Sequence, residues 1–544
     1  MDRTPSPRTD VCVVGAGPAG ALVAARLAGA GHDVVVLDAG PRFEEASEKR
    51  IERSIRPAHD DLSVWGMGGE RDGFSTTGEL FYPLNQARVK GVGGSTLHWQ
   101  GMVMRLHESD FAGRAGGDDL RAWPLAYEDL RPYYAAAERE LGVAGADDNP
   151  FAPPREEPFP MSAFPPSHSD SLFATACERL GIATHSVPNA RNSEPYDGRS
   201  PCVGYGTCQP VCPSGAKYSA DVHVRAAEEC GARVIDRVPV QRLLTGDRET
   251  RVDAAVYATP DGGTHRQEAR QFVLAAGGVE IPRLLLLSRS EAHPDGLANS
   301  SGLVGRYFME HLFAGAGGRL DRRTRQNHVG FVTSETHQFY DEPGQAVTDG
   351  QGNTVVPASD ERLAPMKLEF LNYAGPSPVE LALGGDEWGD ALLERLREAY
   401  GHSIAMGGLV GQKPRPENRV TLDPSTTDDR GNPVPDIRWS LDNRTRRTLA
   451  RANALQHAVL EELGVDVGWT VGPEDTGPAY HHMGTTRMGE DPTESVVNPR
   501  LRTHDVDNLT VASSSVFVTA GAMNPTLTIA ALALKAADHV DEDL

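Results

Sequence analysis

The sequence has few lysines, few cysteines and no long hydrophobic run. Its 53 basic residues include six lysines and face 76 acidic residues, so the formal net charge is −23. Such an acidic surface argues against nucleic acid and anionic membranes as partners. Either of two backgrounds would account for this composition: a GC-rich genome, which favours Arg over Lys, or a salt-rich cytoplasm, which favours acidic surfaces with few lysines. No stretch of about 18 uncharged apolar residues occurs, so no direct membrane insertion is expected.

Cysteine usage and the N-terminus bear on the compartment. Three of the six cysteines, Cys12, Cys177 and Cys230, are scattered and predict buried free thiols rather than a disulfide framework, which fits a reducing compartment. Residues 1–8 contain no apolar segment and no twin arginine. We therefore expect a cytoplasmic location, or a periplasmic or membrane-associated one reached only through a partner subunit.

The first forty residues predict a nucleotide-binding unit. An apolar strand at 10–14 leads into the turn Gly15-Ala-Gly17-Pro-Ala-Gly20, a helical stretch at 21–29 and a second strand at 33–37 that ends in Asp38. The first glycine permits the tight turn, the second lets the backbone approach a pyrophosphate, and the third lets helix and strand pack closely. The acid is placed to bind ribose hydroxyls.

Three later segments favour FAD over a nicotinamide cofactor. They are a second glycine-rich loop with Gly93, Gly94, Ser95 and His98, a strand at 272–276 that ends in Ala276 and Gly277, and a segment at 508–514 with Ser513. An extended dinucleotide needs several close backbone approaches of this kind. Because the approaches are spread over the whole chain, they predict a flavin held at many points.

Together with further motifs, these segments resemble the glucose–methanol–choline (GMC) oxidoreductase family over nearly the whole chain. The further motifs are Val304-Gly-Arg-Tyr-Phe-Met-Glu-His311, His481-His-Met-Gly-Thr-Thr-Arg-Met-Gly489 and Asn524-Pro-Thr526. The resemblance departs at Ser513, where the family often has Asp, and near Val518, where it often has Pro. The resemblance implies an FAD-dependent oxidoreductase acting on CH–OH donors.

The implied fold is α/β, with a Rossmann-like FAD-binding domain of discontinuous segments and a substrate-binding domain with a mostly antiparallel sheet. The FAD-binding domain would comprise residues 1–310, including a cysteine loop at 200–218 and a surface loop at 145–170, and residues 471–544. The substrate-binding domain would comprise residues 311–470. Within it, residues 442–463 form an amphipathic pattern that predicts a solvated surface helix.

The resemblance also implies a catalytic pair, His481 and Asn524. Alcohol oxidation by a flavin needs a base that is neutral at working pH, and imidazole meets that need. An amide can orient the substrate oxygen without competing for the proton. His482 is the alternative base, but neighbouring residues of a strand point in opposite directions. We therefore assign His482, His504 and His311 structural roles.

His98 precedes Trp99, as does the histidine that bonds the flavin covalently in pyranose-oxidase-like members. Both a covalent bond and simple stacking near the flavin remain open.

Cys202, Cys208 and Cys212 lie within eleven residues, in a loop of Gly, Pro and small polar residues. Closely spaced thiolates are typical ligands of iron–sulfur centres, and three suit a three-iron, four-sulfur (3Fe-4S) cluster. Zinc is the alternative, with His223 as a fourth ligand, and unligated thiols are the remaining one.

The cysteine segment resembles the cluster loop of FAD-dependent glucose, fructose and gluconate dehydrogenase catalytic subunits. In that group, electrons pass from the flavin through the cluster to a cytochrome subunit, and a small partner subunit serves export. We therefore expect a dehydrogenase that oxidises a sugar, sugar derivative or polyol. The alternative is an oxygen-using sugar or glycoside oxidase that produces hydrogen peroxide.

Overall fold

The computed structural model describes residues 2–43, 65–115, 120–209, 211–246, 248–324, 330–372, 375 and 378–544. The helices are α1 (Pro18–Gly29), α2 (Leu84–Ala87), α3 (Glu108–Phe111), α4 (Tyr127–Leu141), α5 (His168–Arg179), α6 (Asp221–Glu229), α7 (Gly277–Leu287), α8 (Pro378–Leu383), α9 (Asp390–Ala399), α10 (Asn443–Glu462) and α11 (Thr526–Glu542). No helix in these ranges is long and apolar enough to cross a membrane.

The strands are β1 (Thr9–Val14), β2 (Val34–Leu37), β3 (Ser75–Gly78), β4 (Ala144–Gly145), β5 (Met161–Ser162), β6 (His185–Ser186), β7 (Arg233–Ile235), β8 (Val240–Thr245), β9 (Val252–Ala258), β10 (Thr264–Leu274), β11 (Leu312–Arg319), β12 (Val332–Thr336), β13 (Val347–Thr348), β14 (Thr354–Val356), β15 (Met366–Leu371), β16 (Ser403–Val410), β17 (Arg419–Thr427), β18 (Pro433–Trp439), β19 (Asp466–Val471) and β20 (Leu509–Val511).

A mostly parallel sheet carries the N-terminal motif. Strands β7, β2, β1 and β10 lie side by side in that order and β20 pairs with β10, all in parallel. The first half of β10 pairs instead with the antiparallel strand β9, and β9 pairs in turn with β8. The apolar run of β1 is buried on both faces, as is usual in parallel sheets. Helix α1 begins with Pro18 in its first turn and packs against α6 and α11.

A second, antiparallel sheet has the order β19-β11-β16-β15-β12-β6. Its residues alternate between two faces, and one face packs on α10. The parallel Rossmann-like sheet and this antiparallel sheet confirm the predicted fold class. The domain boundaries stay a prediction; β6, from the segment assigned to the FAD-binding domain, pairs with β12 in the antiparallel sheet.

Helix α10 begins and ends within one residue of the predicted stretch, with Asp442 as its N-cap. The helix is buried more deeply than the solvated surface helix that the sequence predicted. Leu455 is fully buried, and the guanidinium of Arg451 is also buried and donates to the backbone carbonyls of Pro343, Gln345 and Pro357. The helix therefore forms one wall of a second hydrophobic core, which lies between it and the antiparallel sheet.

Candidate active site

A cavity of about 810 Å³ lies between the two sheets. Its walls include the carboxyl ends of β1 and β10 on one side, and Phe313, Leu409 and Glu369 of the antiparallel sheet on the other. The carboxyl ends of parallel strands are the usual binding edge of such sheets. Every predicted cofactor-binding and catalytic residue lines this cavity except Gly20 and Gly93.

The two glycine-rich loops, remote in sequence, touch at the cavity wall. A Cβ added to Gly94, whose φ is +56°, would lie 2.8 Å from the Cα of Gly17. A Cβ on Gly15, whose φ is +101°, would lie 2.8 Å from the carbonyl oxygen of Ala275. Only glycine allows approaches this close, so the backbone forms a cradle that fits a dinucleotide.

Gly20 and Gly93 support that cradle from behind. A Cβ on Gly20 would lie 2.0 Å from the carbonyl oxygen of Gly15, so this glycine lets α1 pack on the turn. Gly93 has a left-handed conformation and caps the short helix Gly94–Leu97, which contains Ser95.

Asp38 is buried at the end of β2 and lines the cavity. Its two carboxylate oxygens accept hydrogen bonds from the backbone N–H groups of Ala16 (2.8 Å) and Gly40 (2.9 Å). Burial raises the pKa of this carboxyl, and the two backbone donors oppose that rise. Asp38 thus holds the glycine turn in place. Its predicted contact with ribose hydroxyls stays a prediction.

His481 forms a buried pair with His311. The two Nδ1 atoms lie 3.0 Å apart, and Nε2 of His311 lies 3.0 Å from the carbonyl oxygen of Ala520. Because a carbonyl only accepts, the neutral His311 carries its proton on Nε2 and accepts at Nδ1. His481 must therefore donate from Nδ1, which leaves its Nε2 unprotonated. His311 therefore fixes the tautomer of His481, a role that differs from the purely structural one predicted from the sequence.

Burial and the neighbouring His311, Lys367 and His482 hold the pKa of His481 well below 6.5. The imidazole is therefore neutral at pH 7, as a general base must be. Gly484, two residues beyond His482, has a φ of +88° and approaches the carbonyl oxygen of Tyr307 closely. This explains the glycine in the motif.

Asn524 lies just before α11 and lines the same cavity. Its side-chain oxygen is buried and has no hydrogen-bond partner in the described part of the chain. An unpaired buried amide oxygen is costly. The amide therefore has capacity left for a bound molecule.

His482 also lines the cavity, which the expected strand alternation did not predict. Residues 477–483 do not form a regular strand, and Tyr480 has a left-handed φ of +67°. Adjacent side chains therefore need not point in opposite directions. His504, by contrast, bonds Ser495 Oγ at 2.9 Å, as a structural histidine would.

His98, Ala276, Gly277 and Ser513 surround the cavity on further elements. Burial and the neighbouring Lys217 lower the pKa of His98 to about 4. Ala276 and Gly277 begin α7, and Ser513 caps the short helix Ser514–Val516 by accepting from the N–H of Ser515.

The cysteine loop is fastened to the cavity wall by Lys217. The fully buried ammonium of Lys217 donates to the carbonyls of Leu97 (3.2 Å), Trp99 (2.5 Å) and Cys208 (2.7 Å). Leu97 and Trp99 flank His98. The loop that carries the three cysteines, described except for residue 210, therefore lies directly behind the predicted flavin contacts.

The thiols have cationic surroundings. Nη1 of Arg191 lies 3.9 Å from Cys202 Sγ, and the backbone N–H of Lys217 points at Cys212 Sγ at 3.5 Å. Burial opposes ionisation of Cys212, yet the N–H and the ammonium of Lys217 bring its pKa below the usual value. Burial raises the pKa of Cys208 against the same cations. Buried cations beside thiols fit a negatively charged group bound by the sulfurs.

The zinc alternative fits poorly. Both ring nitrogens of His223 are engaged, one with Tyr218 Oη and one with a carboxylate oxygen of Glu140, each at 2.9 Å. Tetrahedral zinc needs ligand sulfurs about 3.8 Å apart. Within the described ranges, the side chains whose ligand atoms converge within 4.8 Å are His185, Glu335 and His337, not the cysteines.

Sequence reasoning missed the polar residues of the antiparallel sheet. Lys367 and Glu369 alternate with apolar residues in β15 and are both buried. Two charged residues at alternate positions of an otherwise apolar strand were the available signal. Glu369 lines the cavity, and Lys367 lies 2.9 Å from its Oε1.

Comparison with known proteins agrees with this architecture. The family descriptions of the GMC oxidoreductases match residues 75–313 and 414–533, and that of an NAD(P)-binding Rossmann-like domain matches residues 13–47. The chain therefore belongs to the GMC oxidoreductase family, which confirms the resemblance. It is an FAD-dependent oxidoreductase that acts on CH–OH groups.

Individual relatives span the whole chain. It is 33% identical to the fructose dehydrogenase large subunit of Gluconobacter japonicus, over 98% of both chains. It is 30% identical to the 2-methyl-1,2-propanediol dehydrogenase of Mycolicibacterium austroafricanum, over 99% of this chain and 96% of that one. The crystal structure of pyridoxine 4-oxidase from Mesorbium loti has the same fold, with a TM-score of 0.64 at 18% identity over 97% and 98% of the two chains.

Proposed function

We propose that this protein is an FAD-dependent dehydrogenase that oxidises a CH–OH group of a sugar, sugar derivative or polyol. We further propose that a 3Fe-4S cluster on Cys202, Cys208 and Cys212 relays electrons to an external acceptor, such as a cytochrome subunit. The observation that carries the second proposal is the bridge from the Lys217 ammonium to both the cysteine loop and the residues around His98.

The proposed proton transfer uses His481. Its Nε2 is the unprotonated nitrogen, because Nδ1 donates to His311. Nε2 takes the proton of the substrate hydroxyl, and the positive charge that forms on His481 is shared with His311 through the same hydrogen bond. FAD, held in the cradle, would supply the hydride acceptor.

Asn524 is proposed to hold the reacting oxygen. Its Nδ2–H donates to the substrate oxygen, which leaves the hydroxyl proton for His481, and so orients the carbinol carbon. Phe313, Leu409 and Phe331 line the cavity and exclude water from the reacting groups. His98 remains a candidate for covalent flavin attachment, which would leave yellow colour in acid-precipitated protein.

The cluster would be held by the three thiolates, with Arg191 and Lys217 balancing its charge. When bound, it would conduct electrons from the flavin site to the surface. The fructose dehydrogenase relative is named a large subunit, which supports a partner subunit here too.

The test is analysis of anaerobically purified protein for iron and acid-labile sulfide, with Cys208→Ser beside the wild type. We expect close to three irons per chain and a broad absorbance near about 400 nm beyond the flavin bands, both lost in Cys208→Ser. Cys177→Ser is the matched control, because Cys177 is a buried thiol remote in sequence from the loop. FAD without iron would contradict the relay.

The acceptor is tested separately with the wild-type holoenzyme and a panel of sugars and polyols. We expect fast reduction of an artificial dye and little hydrogen peroxide under air. Stoichiometric peroxide without any added acceptor would favour the oxidase alternative instead.

A further inference from the structure

A row of polar residues crosses the antiparallel sheet and reaches the cavity at Glu369. Directly opposed residues of neighbouring strands share a face, and the pairs His185–Glu335, Glu335–Glu369 and Glu369–Gly407 continue to Gly315. The two acidic residues of the row are thus followed by two glycines, Gly407 and Gly315. Glu369 is the acid at this boundary, and it lines the cavity.

The glycines of the row make room for an aromatic platform. A Cβ on Gly315 would lie 2.7 Å from Phe313 Cε1, and one on Gly407 would lie 3.0 Å from Phe313 Cε2. The ring of Phe313 therefore lies over these two glycines, beside Glu369. Phe313 follows His311 by two residues, and His311 contacts His481. The carboxylate and the catalytic histidine thus share one cavity with an apolar surface between them.

The carboxylate of Glu369 has unused hydrogen-bonding capacity. Lys367 Nζ forms an ion pair with its Oε1 at 2.9 Å, whereas Oε2 has no hydrogen bond in the described ranges and can accept one from a bound molecule. The ammonium itself is held by Glu335 Oε2 at 2.7 Å, and Glu335 Oε1 accepts from His337 at 2.7 Å. This network fixes Glu369 against the cavity. Because the ammonium occupies the place where a cation would sit, His185, Glu335 and His337 carry no metal proposal.

We propose that Glu369 selects polyhydroxylated substrates by accepting a hydrogen bond from a second hydroxyl group of the molecule whose first hydroxyl is bound by His481. The inference rests on the proposed function and specifies its substrate class. A hydroxyl fits better than a substrate ammonium group, since an ammonium at this carboxylate would lie close to the like charge of Lys367. The buried position makes the hydrogen bond selective, because a substrate lacking the hydroxyl leaves one desolvated carboxylate oxygen without a hydrogen bond.

The first test leaves the protein unchanged. Flavin reduction of the wild-type holoenzyme is measured with the best sugar or polyol of a panel, with analogues that lack one hydroxyl at a time, with an amino analogue, and with cyclohexanol. We expect kcat/KM to fall about 100-fold or more for one deoxy analogue. Equal kcat/KM for all deoxy analogues would overturn the proposal, and faster oxidation of the amino analogue would overturn the choice of a hydroxyl. No reduction by any alcohol would instead refute the proposed function.

The second test assigns the effect to Glu369. Glu369→Gln should lower kcat/KM for the parent polyol by about 10- to 100-fold, mainly through KM, and leave cyclohexanol unchanged. In this variant, kcat/KM for the parent polyol and kcat/KM for the critical deoxy analogue should become nearly equal. Glu335→Gln is the matched control, because it contacts the same Lys367 without lining the cavity, and it should keep the discrimination. Equal losses on cyclohexanol, or equal loss of discrimination in Glu335→Gln, would contradict direct recognition.

Discussion

At the scale of single residues, the role proposed for His481 depends on His311, which does not line the cavity. His311 is fully buried, and its bond to the carbonyl of Ala520 decides which of its nitrogens accepts. Because Nδ1 of His311 accepts, the hydrogen bond between the two rings requires His481 to carry its proton on Nδ1. A positioning residue of this kind can be told from a structural one by replacing it with side chains that keep or lose the acceptor.

We predict that His311→Leu lowers kcat about 100-fold, because His481 loses the partner that fixes its tautomer. His311→Gln keeps an acceptor for His481 and a donor for Ala520, so it should retain most of the activity. In the wild type, kcat/KM should stay flat as pH falls through 6.5, because the pKa of His481 lies well below that value. In His311→Leu, kcat/KM should begin to fall at a higher pH than in the wild type as the solution is acidified. Equal losses in both variants would contradict the orienting role.

At the scale of elements, the cofactor cradle is made where α1 and the Gly94–Leu97 turn meet. Gly94 has a left-handed φ, and its Cα faces Gly17 at a distance that excludes a side chain. The second core also depends on close packing. Helix α10 packs on the antiparallel sheet through fully buried residues such as Leu455 and Leu449.

We predict that Gly94→Ala gives folded protein with little or no FAD. The new Cβ would collide with the backbone of Gly17, so the two loops must separate. Gly302→Ala is the control, since Gly302 has a similar φ of +68° but open space around the added Cβ. The measurement is the ratio of flavin to protein absorbance together with circular dichroism. Full FAD loading of Gly94→Ala would show that the cradle tolerates a wider spacing.

A prediction about α10 concerns stability. Leu455→Ala should lower the free energy of unfolding by about 2–5 kcal/mol, because it leaves a cavity in the second core. Leu383→Ala, at a side chain that is 81% exposed, should change it by less than about 0.5 kcal/mol. Urea denaturation followed by tryptophan fluorescence measures both. Similar values for the two variants would mean that α10 contributes little to the core.

At the scale of the whole molecule, burial of titratable groups sets the response to acid. In the described part of the chain, seven histidines have pKa values below 6.5 with burial as the largest cause: His98, His185, His311, His337, His481, His482 and His539. Four buried acids have raised pKa values: Asp38, Asp110, Glu310 and Glu369.

We predict that the thermal midpoint falls as pH is lowered from 7 to 5. Below pH 6.5 the unfolded chain binds protons on histidines that stay neutral in the fold, so unfolding is favoured. The raised acids act in the opposite direction, because the folded state binds their protons first; the pKa of Glu310 is raised to about 8 and that of Asp110 to about 6. The histidines are more numerous, so the net effect is destabilising. Differential scanning calorimetry of the FAD-loaded protein measures it, and a constant midpoint would contradict it.

Much of the fold and part of the site could be predicted from local patterns. The strand–turn–helix unit of residues 9–38 and helix α10 depend on neighbours within a few residues, so their positions were predicted within a few residues. The residues of the proposed catalytic pair, His481 and Asn524, were selected by motif. The role of His311 was missed because its contact joins residues 170 apart in sequence.

The sequence by itself determined the family, the α/β fold and the grouping of three cysteines, since each is written in glycine spacing, periodicity or motif. Only the tertiary structure decided which groups share one cavity. It engages both nitrogens of His223 elsewhere, fastens the cysteine loop behind His98 through Lys217, and exposes Glu369 to the cavity beside Phe313. The physical reason is that hydrogen bonds and burial act over a few ångströms in space, whatever the distance along the chain.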